Sequence, residues 1–106
     1  MESRLSMEAV SELNGWVLTG FSLQPNMRCT FHLADFFLSS SHPLTRAAWL
    51  TFYFPTLVEV KDLKYNDILK HIEHSSKEGM TCRYSLRWSG GHTSIIEARE
   101  VAVTYR

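Results

Sequence analysis

A few groups of residues have the types and spacing to do chemistry. His71 and His74 stand three apart with Glu73 between them. On a helix that spacing brings two imidazoles to one face, where they could share a metal ion. The segment offers no third ligand, so His92 or Asp62 would have to arrive from elsewhere in the chain. The spacing also departs from the zinc-peptidase pattern, whose histidines are four apart with Glu after the first. The group reads as a solvated face, and no metal is expected. Cys29 and Cys82 each fall in the inward phase of an alternating segment. A buried thiol packs as a small hydrophobe, whereas a nucleophilic one needs an exposed, electropositive setting. His32 and Asp35 share one candidate strand but have opposite parity, so they face apart. There is no G-x-S-x-G and no phosphate-binding glycine loop; Gly90-Gly91 reads as a turn. No catalytic residue and no cofactor are expected. The enzyme alternative would be a small cleft lined by His32, His92 and Glu97.

Two further groups point to surfaces rather than reactions. Arg83 and Arg87 share an outward face with Ser85 between them, and with Glu97 and Arg99 they could form a charged ladder. Exposed pairs of that kind stabilise by less than about 1 kcal/mol each. Trp16, Trp49 and Tyr53 sit opposite the face assigned to the main core. Large aromatics on a second face need cover from another element or from a partner. These three are the candidate partner-binding residues.

Composition narrows the class. The 106 residues suit one domain, so 1–106 reads as a single domain. Hydrophobic residues make up 44 % of the chain, with six Phe, four Tyr and three Trp, enough to build a core. Eleven basic residues balance eleven acidic ones. The clustered Lys and Arg that drive nucleic-acid or anionic-membrane binding are missing, so neither partner is expected. No window approaches the roughly 18 apolar residues of a membrane span, and no apolar stretch of signal-peptide length opens the chain. A cytoplasmic domain with reduced cysteines is the expectation.

The elements that position these residues follow from periodicity. Residues 6–14 read as a short helix, capped by Ser6 and stopped by Gly15. Residues 16–24 read as a strand with Val17, Phe21 and Leu23 on one face and Trp16 and Leu18 on the other. After the turn at Gln24-Pro25-Asn26, residues 27–37 alternate, with Met27, Cys29, Phe31 and Leu33 opposite Arg28, Thr30 and His32. Residues 38–46 form a loop, 47–54 a strand, and 57–61 its continuation past Pro55. Tyr65, Ile68, Leu69 and Ile72 recur at i, i+3, i+4 and i+7, which predicts a helix over 66–76 capped by Asn66 and ended by Gly79. Residues 81–88 and 93–105 form a hairpin about Ser89-Gly90-Gly91-His92. In 93–105 the apolar parity changes between Ala98 and Val101, which predicts either a β-bulge near Arg99-Glu100 or an edge strand with both faces partly covered. The expected fold class is α+β: a mostly antiparallel curved sheet or small open barrel of about six strands, with one helix at 66–76 and a short N-terminal helix.

A strand pair, a buried aromatic strand, the Asn-Asp-Ile-Leu segment at 66–69 and a Gly-turned hairpin running through Ile-Ile-Glu-Ala-Arg-Glu-Val-Ala-Val at 95–103 follow one another in order. This succession, over most of 14–105, resembles small bacterial immunity proteins of polymorphic toxin systems. The resemblance implies a single cytosolic domain that binds and neutralises a cognate toxin, through residues that no motif assigns. The expected function is non-catalytic protein binding. The alternatives are the small enzyme above and a subunit that self-associates through its second sheet face.

Overall fold

The computed structural model describes residues 10, 12–24, 28–37, 44–76 and 81–105. Among them are eight strands: β1 (Val17–Gln24), β2 (Arg28–Phe37), β3 (Leu44–Tyr53), β4 (Leu57–Glu59), β5 (Leu69–Ser76), β6 (Cys82–Trp88), β7 (Thr93–Ala98) and β8 (Glu100–Tyr105). They form two four-stranded antiparallel sheets, in the orders β1-β2-β3-β8 and β4-β7-β6-β5. The antiparallel pairing is as expected. The α+β class is not: the described residues are nearly all β, and apart from the single helical residue Val10 no helix is present among them.

The segment 66–76 is the main correction. Leu69 lies opposite Trp88 and Ile72 opposite Leu86, with the register shifting between Leu69 and His71. One extra residue, Lys70, bulges out of the ladder. Leu69 and Ile72 therefore both point inward and are buried, although they are three apart. A bulged strand thus reproduces the i, i+3 spacing of a helix. Tyr65, the first residue of the supposed stripe, is 69 % exposed. Asn66 occupies a turn with φ of 76°, not a helix cap. Of the helix expected over 6–14, residues 6–9 and 11 lie outside the described residues. Glu12–Gly15 is a turn, in which Leu13 N–H donates to Val10 O and Trp16 N–H to Leu13 O, both at 3.0 Å.

A second bulge explains a second correction. The β1–β2 register shifts between Leu18 and Gly20. Thr19 is the extra residue, so Leu18 turns to the same inner side as Phe21 rather than to the opposite one. Leu18 is buried beside Leu33, and Trp16, in phase with Leu18, is buried as well.

The parity change near Arg99 has another origin than a bulge within one sheet. The chain leaves one sheet and enters the other there, β7 on one side and β8 on the other. The segment between β3 and β4 makes the reverse passage, and the two crossings are bonded together: Arg99 N–H to Tyr53 O at 3.2 Å, Thr56 N–H to Glu97 O at 2.7 Å. On the other flank, Leu18 N–H donates to Asp67 O and Leu69 N–H to Trp16 O, both at 2.8 Å. The sheets are thus laced along both flanks.

Between them lies one core. Phe31 and Phe52 of the first sheet meet at 6.0 Å, edge to face. Phe31 also meets Trp88, and Phe52 meets Tyr84, at 5.7 and 5.1 Å across the sheets. Phe31, Leu33, Leu50, Phe52, Ile72, Tyr84 and Leu86 are all buried, as their strand phases require. The buried indole N–H of Trp88 donates to Ser94 Oγ at 3.0 Å. Both cysteines are free; Cys29 is fully buried, while Cys82 is only half-buried.

Candidate functional site: a trough across the first sheet

On the outward face of the first sheet, β2 presents Arg28, Thr30 and His32, and β3 presents Tyr53, Thr51 and Trp49. The ladder sets these residues in cross-strand pairs: His32 opposite Trp49, Thr30 opposite Thr51, Arg28 opposite Tyr53. Neighbouring strands extend each row, with Ser22 opposite Thr30 and Ala102 opposite Thr51. A row of small side chains therefore runs across four strands, flanked on β2 and β3 by two pairs of large ones. The two pairs are four positions apart, or about 13 Å along the strand, and the floor spans about 14 Å across the sheet.

From Thr30 to Ala102 the floor is nearly desolvated although it lies on an outer face, while Ser22 at its β1 end is half-buried. Thr30 and Thr51 are each 7 % exposed and Ala102 is 1 % exposed. The two threonine hydroxyls bond to each other at 3.3 Å. One ridge is the His32 ring against the Trp49 ring, centroids 4.7 Å apart. On its other side His32 faces Gly20 across the ladder. The other ridge is Arg28, whose guanidinium carbon lies 5.4 Å from the Tyr53 ring centre. The space enclosed is about 300 Å³, near the lower end for a ligand cleft.

Of the three candidate residues, Trp49 and Tyr53 line this trough, and Trp16 does not. Trp16 is 4 % exposed, with the Arg46 guanidinium 5.3 Å from its ring and the Tyr105 ring 6.1 Å away. Arg46 in turn is ion-paired with Asp35.

The other candidates are scattered. His71 and His74, expected on one helix face, point to opposite faces of β5; His74 stacks on Tyr84 at 6.3 Å, while His71 lies opposite Arg87. No group of three or more His, Cys, Asp or Glu among the described residues could hold a metal ion. His32 stands in the trough, His92 in the β6–β7 turn, and Glu97 on the second sheet against Arg83, whose Nε and terminal nitrogen lie 2.8 and 2.7 Å from its carboxylate. The ladder foreseen there is real between Arg83 and Glu97, which are cross-strand partners. A second recess of about 360 Å³ lies between β1 and the β4–β5 connection, lined by Leu18, Phe21, Val60, Asp62, Leu63 and Tyr65. Cys29 is fully buried, and that desolvation pushes its thiol up to about 12.

Comparison with known proteins finds no matching family model, no matching curated protein and no matching solved structure. No helix among the described residues is long and apolar enough to cross a membrane.

Proposed function

We propose that this protein is a non-catalytic binding domain that seats a protein partner in the trough over Thr30 and Thr51. The observation that carries the reading is the company of residues there. Trp, Tyr and Arg dominate the energetics of protein interfaces, and they do so around desolvated centres. Here Trp49, Tyr53 and Arg28 flank a floor that water scarcely reaches. Trp49 remains 36 % exposed, which leaves ring surface for a partner to bury.

The finer form of the proposal takes the partner to be a toxin that the domain neutralises in the cytosol, where free thiols such as Cys29 and Cys82 persist. The resemblance to immunity proteins and the absence of convergent titratable groups among the described residues support it. The test is affinity capture from an extract of the source cells, with the wild-type chain and a Trp49→Ser, Tyr53→Ser variant as parallel baits. A protein held by the first and lost by the second is the expected result. If that protein arrests growth alone and not when co-expressed with this chain, the toxin reading stands. Identical captures by both baits would remove the trough from consideration.

A further inference from the structure

Four strands stand at sheet edges: β1 and β8 in the first sheet, β4 and β5 in the second. An edge strand offers unpaired N–H and C=O groups to any other strand, and charged side chains are a common defence against such pairing. β8 has Glu100, β4 has Glu59, and β5 has Lys70 and Glu73; β1 has no charged residue. The chain covers one end of the β1 edge itself. Leu18 N–H donates to Asp67 O and Asn66 N–H to Leu18 O, both at 2.8 Å. That pairing stops at the extruded Thr19. From Gly20 to Gln24, β1 is bonded through its backbone to β2 alone among the described residues. Alternate residues of this stretch turn their N–H and C=O groups away from β2.

The core side of the open stretch is unfinished. Leu23 lies opposite the fully buried Cys29 and so points to the core side, yet it is 56 % exposed. Two positions away, Phe21 meets Phe31 at 5.0 Å and is half-buried. Beside Phe21 is the recess of about 360 Å³ that Leu18, Val60, Asp62, Leu63 and Tyr65 complete. Its walls are apolar apart from Asp62 and the Tyr65 hydroxyl, and both of these residues are exposed. One open edge thus carries an apolar knob, Leu23, and an apolar hole beside Phe21, on the same side of the same strand.

We propose that this edge pairs with the same edge of a second copy of the chain, antiparallel about a two-fold axis through Ser22. In that register Ser22 faces its own counterpart, Gly20 faces Gln24, and Phe21 faces Leu23. Opposed residues on antiparallel strands point to the same side. The Leu23 of each copy therefore enters the recess beside Phe21 of the other. Such a contact is isologous, each copy giving the knob and the hole. A second copy is the occupant that the edge itself specifies, because one strand supplies both features and their spacing. The pairing joins two four-stranded sheets into one of eight, and the floor row that ends at Ser22 continues from copy to copy. It is independent of what the trough binds.

Sedimentation equilibrium from micromolar to millimolar concentration should show the mass rising from 12.2 kDa toward twice that value. Leu23→Lys removes the knob and charges the edge. With unfolding curves confirming an intact fold, it should weaken self-association at least about tenfold. Glu100→Lys, on the β8 edge, should leave association unchanged. In a Cys82→Ser background, Ser22→Cys should form a disulfide-linked dimer on mild oxidation. Gln24→Cys should not, since its two copies stand about 14 Å apart in this register. A chain that stays monomeric at millimolar concentration overturns the proposal. So does a folded Leu23→Lys chain that associates like the wild type, or a Gln24→Cys chain that links as readily as Ser22→Cys. Association lost in Glu100→Lys would assign the contact to β8 and overturn it equally.

Discussion

Single residues carry two kinds of strain that experiments can read. Cys29 is neutral in the fold and its thiol is pushed up to about 12 by desolvation, against an ordinary 9.0. The unfolded chain therefore releases that proton first. Its contribution to stability is whole below about pH 9 and declines as pH rises toward about 12, by at most about 1.4 kcal/mol per pH unit. Urea unfolding at pH 8 and pH 10 should show a steeper loss for the wild type than for Cys29→Val. An equal pH dependence would mean that the thiol is not desolvated. Native Cys29 should also resist thiol reagents until denaturant is added, with half-buried Cys82 modified first. Phe54 is the other case. It is 46 % exposed and has a φ of 54°, in the left-handed region that a bulky side chain rarely enters. The Arg99 guanidinium lies 6.0 Å from its ring centre. Phe54→Gly should stabilise the fold by about 0.5–1 kcal/mol, checked by thermal and urea unfolding, since glycine adopts that φ freely. A loss of stability instead would show that the ring packs more than its exposure implies.

At the scale of elements, the two bulges decide what periodicity can reveal. Period two was legible wherever the ladder is regular: in β2, β3 and β6 the inward residues Phe31, Leu50, Phe52 and Leu86 are buried as their alternation requires. It failed where one residue is extruded. Lys70 gives β5 a helical spacing, and Thr19 reverses the face of Leu18 and Trp16. Nothing local marks either residue as bulged, because the extra residue is defined by a partner strand that the sequence does not name. The same blindness hid the trough. The outward residues Arg28, Thr30 and His32, and separately Trp49, Thr51 and Tyr53, could be read from alternation, but only the register sets them opposite each other. A deletion pair tests the bulge. Removing Lys70 leaves Leu69 and Ile72 two apart and still on one face, so it should cost less than about 2 kcal/mol. Removing Ser85 from the regular β6 must turn Tyr84 or Leu86 outward and should cost more than about 3 kcal/mol or prevent folding. Equal costs in urea unfolding would contradict the bulge.

The whole molecule is two sheets that share one core and are laced along both flanks, which fixes how the trough is supported. Behind Thr30 and Thr51, β2 and β3 turn Phe31 and Phe52 inward against Trp88 and Tyr84 of the opposite sheet. Phe52→Ala and Leu86→Ala should each cost about 2–5 kcal/mol and unfold both sheets in one transition. Separate transitions by tryptophan fluorescence and circular dichroism would mean that the sheets are independent. The rigid backing is what lets a surface of ridges and a small-residue floor keep its shape without a partner. The most direct measurement of the central claim fills the trough and leaves its walls intact. Thr51→Arg places a long side chain on the floor, where its charged end can reach water between the ridges. Titrating the captured partner against this variant, with unfolding curves confirming an intact fold, should show affinity falling at least about thirtyfold. A folded Thr51→Arg chain that holds the partner as tightly as the wild type would contradict it.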